Sequence, residues 1–318
     1  MDYEKNNRVL ALLGQRGTFG TIVTELAENN EEIVVLSADL ARVSGLDKYI
    51  KKYPDRFLNV GIAEENALGM AAGMADAGKI PFVTTFSTFA TMRANEFVRH
   101  FMAYMQCNVK LVGLSSGFAM ELFGTTHYGL EDIAVVRSFP NITILSPSDC
   151  MEVAKCVELS ASIEGSVYLR LSGRMNNPIV HKKDYELRVG KAIVEREGDA
   201  CVVFATGSML SVALKAASEL EREDINVKII NMHTIKPIDE ECILDNLKTP
   251  LIISIEEHSR IGGMGTAIAE VLSENGFAGK YVRMGTCDTY KMAGSYEYML
   301  EQHGLTVSNL ISTIKNNM

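Results

Sequence analysis

The residues best suited to chemistry lie within the first hundred positions. Glu64 and Glu65 open a run of small residues from Ala67 to Ala77 that predicts a closely packed helix. An acid at the mouth of such an apolar helix is partly desolvated, a setting that tunes a carboxyl group for proton transfer. The two residues equally suit the negative charge that any helix N-terminus favours. Phe86 and Phe89, three residues apart, form either an aromatic binding surface or part of the core.

The composition excludes several classes of protein. The 318 residues include 31 Lys and Arg against 40 Asp and Glu, and the net charge of −9 disfavours nucleic-acid binding. No apolar run is long enough to cross a membrane, and the N-terminus lacks the pattern of a secretory signal. The six cysteines form no CxxC pair, which predicts buried thiols in a reducing compartment. We therefore expect a cytoplasmic protein with no nucleic-acid or membrane partner.

Short apolar runs rich in β-branched residues alternate with longer helix-like segments along the chain. This alternation is typical of parallel sheets that helices cover on both faces. A polar stretch near residue 185 separates two series of such runs, and the second begins near residue 200. We therefore expect an α/β chain of two domains, residues 1–185 and 186–318, each with a mainly parallel sheet flanked by helices. The first series of strand-like runs covers residues 33–37, 80–86, 109–115, 142–147 and 167–171.

Six sequence blocks, in order along the chain, carry a family resemblance: LSADLA (36–41), RFLNVGIAEENALGMAAGMA (56–75), FSTFATMRANEFVR (86–99), GTTHYGLEDIAVVRSFPNITILSPSD (124–149), VYLRLSGR (167–174) and SIEEHSRIGGMGTAIAE (254–270). The chain resembles the C-terminal half of transketolase, and more closely the separate C-terminal subunit of split bacterial transketolases. The resemblance implies a pyrimidine-binding domain followed by a transketolase C-terminal domain. Two related families share parts of the pattern, the deoxyxylulose-phosphate synthases and the beta subunits of 2-oxo-acid dehydrogenases.

The resemblance implies thiamine diphosphate as the cofactor and gives roles to four residues. Glu64 matches the family's catalytic acid, which hydrogen-bonds N1′ of the cofactor's aminopyrimidine ring. Phe86 and Phe89 match the aromatic pair that holds this ring by stacking. Asp39 matches an aspartate near the cofactor and substrate channel. Glu65 occupies a variable place in the motif, and we interpret it as a structural charge.

One motif of the family is missing from this chain. The family binds the diphosphate through Mg²⁺ and a GDG motif in its N-terminal half, whereas the only Gly-Asp pair here, Gly198-Asp199, has no following Gly. The resemblance therefore implies half an active site without metal ligands. It implies a partner, an N-terminal transketolase subunit that carries the diphosphate- and Mg²⁺-binding domain. By analogy with the family, the pyrimidine domains self-associate and two partner subunits complete a heterotetramer.

The same resemblance gives four residues a role on the substrate side. His127 matches a histidine of the catalytic site that hydrogen-bonds substrate hydroxyls. Arg16 lies 22 residues before Ala38, the spacing of the arginine that transketolases use on the acceptor phosphate. Arg170 and Arg174 fall where related enzymes place one phosphate-binding arginine. A solvated role for Arg16, and a structural salt bridge for one of the other two, remain open.

Two departures from the family pattern concern the substrate. In ELFGTTH, Phe123 stands where the family has an aspartate that recognises the C2 hydroxyl, and Ser115 stands where sugar-phosphate transketolases have a histidine. An apolar ring in place of a polar group loses a hydrogen bond to the substrate. We therefore expect a sugar or sugar phosphate that is modified, for example deoxygenated, branched or not phosphorylated at the usual end.

The leading hypothesis is transfer of a two-carbon ketol unit from a ketose donor to an aldose acceptor. Two alternatives remain, the beta subunit of a 2-oxo-acid dehydrogenase or decarboxylase, which would release CO₂, and a non-catalytic partner subunit. Glu256, Glu257 and His258 look like a catalytic cluster at the end of a strand. Because the C-terminal domain of the family does not contribute to the catalytic centre, we expect these three residues to be structural or interfacial.

Overall fold

The computed structural model describes residues 1–172 and 175–318, and its first part builds a parallel sheet. The strands pair in the order β5-β6-β4-β3-β1-β2, all parallel. They are β1 (Ile33–Ser37), β2 (Phe57–Asn59), β3 (Ile80–Phe86), β4 (Lys110–Ser116), β5 (Ile142–Leu145) and β6 (Ser166–Ser172). Every residue of β1, β4 and β6 is buried, as expected for a parallel sheet covered on both faces.

The helices of this first part connect the parallel strands. They are α1 (Tyr3–Asn29), α2 (Asp47–Lys52), α3 (Glu64–Asp76), α4 (Asn95–Phe97), α5 (Asp132–Arg137) and α6 (Cys150–Ser162). Two wider, π-type helical stretches, Phe89–Arg93 and Val98–Tyr104, flank α4. Single 3₁₀ turns occur at Pro54–Arg56 and Glu121–Phe123. The start of α6 has its physical cause in Asp149, whose side chain accepts a hydrogen bond from the backbone N–H of Glu152.

The second part of the chain builds a smaller sheet in the order β12-β11-β8-β9-β7, in which only β7 is antiparallel. Its elements are β7 (Ile193–Arg196), β8 (Cys201–Ala205), α7 (Met209–Leu220), β9 (Val227–Asn231), β10 (Thr234–Lys236), α8 (Glu240–Leu244), β11 (Leu251–Ser259), α9 (Met264–Glu274), β12 (Lys280–Thr286), α10 (Tyr296–Gln302) and α11 (Val307–Asn317), with a 3₁₀ turn at Glu221–Glu223. The predicted α/β class with two mainly parallel sheets is confirmed. None of the helices in the described ranges combines the length and apolar character needed to cross a bilayer.

Strand β10 lies in the second part of the sequence but belongs to the first sheet. It pairs antiparallel with β5, Thr234 opposite Leu145 and Lys236 opposite Ile144, and so forms the edge of a seven-stranded sheet. The backbone N–H of Ser146 also donates to the carbonyl of His233 at 2.8 Å. The two domains therefore share backbone hydrogen bonds, which the division into two series of strands did not predict.

A buried lysine fixes the turns around the start of β4. Lys110 has no exposed surface, and its Nζ donates to Asn108 Oδ1 and to the carbonyls of Ile163 and Gly165, each at 2.6 Å. Burial lowers the pKa of Lys110 to about 7. The side chain therefore joins the turn before β4 to the turn before β6.

We expect Lys110→Met to lower the free energy of unfolding by about 3 kcal/mol, because the methionine removes the donor that these carbonyls share. Urea denaturation of both chains measures the difference. Lys79→Met is the matched control, since Lys79 forms an exposed ion pair with Glu32 at 2.7 Å and its loss should cost less than about 1 kcal/mol. Equal losses in the two variants would contradict the structural role of Lys110.

Candidate active site

Most of the predicted site residues follow the carboxyl ends of β1 to β4. Asp39 comes after β1, Glu64 begins α3 shortly after β2, Phe86 ends β3, and His127 lies in the loop after β4. Because these strands are parallel neighbours, their carboxyl ends meet at one edge of the sheet. Ligands of open α/β sheets bind at this edge.

Glu64 is a buried carboxylate with a cationic partner. Its side chain is 2% exposed and accepts a hydrogen bond from Thr85 Oγ1 at 3.3 Å. Arg93 Nη1 donates to both carboxylate oxygens at 3.0 and 2.9 Å. Glu65 is half-buried and makes no side-chain hydrogen bond or ion pair with the described residues, in keeping with its interpretation as a structural charge.

Arg93 is a site residue that sequence reasoning missed. Its guanidinium carbon lies 4.2 Å from the centre of the Phe89 ring, so it connects the acid to the aromatic pair. Phe89 and Arg93 are four residues apart within one helical stretch, which places them on one face. This spacing of four residues is visible in the sequence and is the signal that could have identified Arg93.

The aromatic pair is part of a larger cluster of rings. The Phe86 and Phe89 ring centres lie 5.9 Å apart, and His127 lies 6.0 Å from the first and 5.3 Å from the second, all edge-on. Phe123 packs against His127 at 5.1 Å and is 66% exposed. Thr126 Oγ1 is 2.9 Å from His127 Nδ1. The structure therefore brings Phe86, Phe89 and His127 together, with Phe123 on the solvent side.

Asp39 lies at the same edge of the sheet but outside the ring cluster. It has a left-handed backbone with φ of 57° and an exposed side chain. Asn59 Nδ2 donates to Asp39 Oδ1 at 3.1 Å, and the Asp39 backbone N–H donates to Asn59 Oδ1 at 3.1 Å. This reciprocal pair connects the ends of β1 and β2, and its hydrogen bonds do not reach Phe86 or Phe89.

Arg16 lines a cleft of about 370 Å³ together with Arg42 and Gln15. Both arginines line this cleft, and Gly20 of α1 packs directly on Gly45 beside it, where a Cβ on Gly20 would lie 2.0 Å from the Gly45 carbonyl oxygen. Neither guanidinium forms an ion pair with a described carboxylate, and burial lowers the pKa of Arg16. The Gln15 side chain is 1% exposed, and its amide has no partner in the described ranges. Two unpaired cations in one cleft form a setting that suits an anion.

The structure corrects the prediction for Arg170. This side chain is 1% exposed, and its Nε donates to Asp132 Oδ2 at 2.8 Å. Its Nη2 donates to the carbonyls of Gly129 and Glu257 at 3.1 and 3.0 Å. Arg170 is therefore an interdomain contact that substrate does not reach, because its hydrogen bonds are made within the chain. Arg174, the other predicted phosphate-binding arginine, lies outside the described residues.

Buried charges surround Arg170 at the contact between the domains. Burial alone would raise the pKa of Asp132, but the Arg170 guanidinium and His258 outweigh it and hold this pKa below its usual range. His258 Nε2 accepts from the backbone N–H of Ala134 at 3.3 Å, and Glu257 accepts from the backbone N–H of Phe118. Glu257 and His258 therefore make hydrogen bonds between the two domains, and their structural or interfacial role stays a prediction.

Comparison with known proteins identifies the family. The model of the transketolase pyrimidine-binding domain matches residues 14–177, and that of the transketolase C-terminal domain matches residues 190–310. The chain belongs to the transketolase family. The boundary predicted near residue 185 falls in the gap between the two matched regions and stays a prediction.

Individual transketolase relatives cover nearly the whole chain. A 6-deoxy-6-sulfo-D-fructose transketolase subunit from Clostridium sp. strain MSTE9 is 37% identical over 93% of this chain and 92% of its own length. An apulose-4-phosphate transketolase subunit of Actinobacillus succinogenes is 35% identical over 89% and 92%. A solved structure described as the inactive β4 tetramer of a split-gene transketolase has a TM-score of 0.85 at 37% identity, covering 95% of this chain and 97% of that one. The chain is thus similar over at least 89% of its length to named transketolase subunits and to a split-gene transketolase.

The site residues fit one half of the transketolase cofactor. Homologues in this family depend on thiamine diphosphate. A buried carboxylate suits a hydrogen bond with a pyrimidine nitrogen, and the half-buried Phe89 ring suits stacking on a planar heterocycle. Glu64, Phe86 and Phe89 are therefore the residues that would hold the aminopyrimidine ring. Within residues 1–172 and 175–318, no three His, Cys, Asp or Glu side chains are grouped so that they could hold a metal ion.

Proposed function

We propose that this chain is the C-terminal subunit of a cytoplasmic transketolase that transfers a two-carbon ketol unit from a ketose, or ketose phosphate, to an aldose. A separate N-terminal subunit supplies the binding domain for the diphosphate and Mg²⁺. The observation that carries the proposal is the buried Glu64 carboxylate, connected through Arg93 to the ring of Phe89 at the carboxyl edge of the first sheet. Glu64 offers the hydrogen bond, and Phe89 the stacking surface, that the aminopyrimidine ring requires.

Each residue of the site has a distinct task in this reaction. Thiamine diphosphate, when bound, supplies the electron sink for the ketol carbon. Glu64 holds a proton at the pyrimidine nitrogen, and Arg93 orients the carboxylate while Phe86 and Phe89 fix the plane of the ring. His127, at the rim of the ring cluster, hydrogen-bonds substrate hydroxyls. Asp39, at the carboxyl ends of β1 and β2, lines the channel to the cofactor and substrate.

Assembly with a partner follows from the incomplete site. The names of two similar proteins describe subunits, and the solved relative is called an inactive β4 tetramer. These relatives support a chain that self-associates through its pyrimidine domains and gains activity only with its N-terminal partner. We propose a heterotetramer of two chains of each kind.

The substrate is a modified sugar, and Phe123 is the residue that determines this specificity. The exposed Phe123 ring beside His127 offers no hydrogen bond to a hydroxyl at this corner. Two relatives are named for sugars other than xylulose 5-phosphate and ribose 5-phosphate, one for 6-deoxy-6-sulfo-D-fructose and the other for apulose 4-phosphate. Both names are consistent with a site that accepts altered sugars.

Co-expression with an N-terminal transketolase subunit from the same organism tests the proposal. We expect ketol transfer with thiamine diphosphate and Mg²⁺ only when both chains are present, with xylulose 5-phosphate and ribose 5-phosphate as poor substrates. A panel of deoxygenated, branched and sulfonated ketoses then identifies the donor. Activity of this chain alone, or CO₂ release from a 2-oxo acid by the pair, would overturn the assignment. Family-typical rates on the two common sugar phosphates would overturn the modified substrate.

A further inference from the structure

The loop that carries Phe123 and His127 is closed on itself. The backbone N–H of Gly117 donates to the carbonyl of Gly129 at 2.8 Å, and the reverse hydrogen bond measures 3.2 Å. We call residues 117–129 the His127 loop. Its tip is exposed at Phe123, whereas its two ends are buried against the second domain. Contacts at these two buried ends therefore help to position His127.

Glu257, on the last part of β11, contacts the first end of the His127 loop. Its Oε1 accepts from the backbone N–H of Phe118 at 2.6 Å. The carboxylate lies so close to Gly117 that a Cβ there would be 2.1 Å from Oε1, and Gly117 has a left-handed φ of +68°. The loop can approach this closely only because residue 117 is glycine.

The second oxygen of Glu257 is held from the C-terminal domain. Its Oε2 accepts from Tyr296 Oη at 2.6 Å, at the start of α10, and from Ser208 Oγ, at the start of α7. Glu257 is 1% exposed, and burial raises its pKa. The carboxylate therefore joins one end of the His127 loop to two helices of the other domain.

The other end of the loop is held by the same strand. Arg170 Nη2 donates to the carbonyls of both Gly129 and Glu257, at 3.1 and 3.0 Å. The backbone N–H of Ser259 donates to the carbonyl of Leu130 at 2.7 Å. Strand β11 thus holds the His127 loop at both of its ends. The side chain of Glu257 contacts the first end, and its backbone carbonyl is connected to the other end through Arg170.

We propose that Glu257 is a positioning residue for His127, through which the C-terminal domain sets the geometry of the substrate corner. A domain without catalytic groups then acts on substrate binding by fixing the ends of one loop. The kinetic part of this proposal rests on the proposed function, because it requires that His127 contacts the substrate. The structural part concerns only this chain.

Glu257→Ala tests the proposal, with Glu256→Ala as the matched control. Glu256 is the preceding residue, also 1% exposed, and accepts from the backbone N–H groups of Met264 and Gly265 at 2.8 Å each, so it contacts α9 and not the loop. In the free chain we expect hydrogen exchange of the Phe118 amide and the rest of the His127 loop to accelerate about tenfold or more in Glu257→Ala only. Glu257→Gln keeps an acceptor for Phe118 and should restore most of the protection. Equal exchange of the loop in the two alanine variants would overturn the proposal.

Kinetics of the assembled enzyme provide the second readout. Glu257→Ala should raise KM for the sugar about tenfold with little change in kcat, while Glu256→Ala leaves KM unchanged. If Glu257→Ala does not fold, Gly117→Ala tests the same contact, and Gly78→Ala, at a left-handed glycine with no atom within 4 Å, is its control. A wild-type complex without ketol transfer would refute the proposed function, whereas hydrogen exchange would still decide the role of Glu257.

Discussion

Replacing Glu64 with glutamine should lower kcat of the assembled complex by roughly 10²- to 10⁴-fold, the contribution of a positioned acid or base. The amide has nearly the size of the carboxylate and can still accept a hydrogen bond from Thr85. It cannot hold an exchangeable proton at a pyrimidine nitrogen, and it removes the anion that Arg93 pairs with at 2.9 Å. Steady-state kinetics with saturating cofactor measure the loss, and circular dichroism confirms the fold.

Glu65→Gln is the control for this variant, because Glu65 follows Glu64 in the first turn of the same helix. We expect it to keep nearly full activity. The comparison also decides between a catalytic subunit and a non-catalytic partner. If Glu64→Gln and Glu65→Gln both leave turnover unchanged, the chain is a scaffold and its retained aromatic pair has no role in the reaction.

The second large effect concerns the cleft between Arg16 and Arg42. We infer that it binds the anionic end of the substrate, since both guanidiniums lack a carboxylate partner in the described chain and the buried Gln15 amide beside them is unsatisfied. A hydrogen bond to a charged group contributes about 1.5–3 kcal/mol, which corresponds to roughly 10- to 100-fold in affinity. Arg16→Ala and Arg42→Ala should each raise KM by that factor for a sugar with a terminal phosphate or sulfonate.

A neutral substrate separates this electrostatic effect from a structural one. The same two variants should leave KM for the corresponding sugar without the anionic group unchanged. Arg8→Ala provides the control, because Arg8 is an exposed arginine on the same helix outside the cleft. An equal loss for charged and neutral sugars would show that the cleft supports the fold and does not bind the anion. Comparing phosphate and sulfonate donors then distinguishes the two sources of negative charge.

The sequence predicted those features that depend on local pattern. Apolar runs such as residues 33–37 gave the strands of the parallel sheet, and the run of small residues after Glu64 gave α3 with its buried acid. The family resemblance assigned Phe86, Phe89 and His127 to one site, and the structure brings their rings together. Hydrophobic periodicity and motif spacing are sufficient for such features.

The remaining features depend on contacts between distant segments. Arg170 carries no local sign of burial, and its pairing with Asp132 appears only when both domains are in place. Arg42 and Arg16 line one cleft in the fold, although they are 26 positions apart in the sequence. Strand β10 has three residues, too few to show a period, and its partner β5 lies about ninety positions earlier. Tertiary packing sets all three, and local sequence does not encode it.

The shared edge strand has a consequence for dissecting the protein. A fragment that ends at residue 185 contains the pyrimidine domain by sequence but lacks β10, so β5 would present unpaired N–H and carbonyl groups to solvent. An exposed strand edge of this kind recruits other chains and causes aggregation. During synthesis, likewise, the first sheet cannot complete its edge until residue 236 has left the ribosome. The two domains match separate family models, but the first sheet is complete only with β10 from the second part of the chain. Truncation experiments should therefore keep residues up to Lys236 with the first domain.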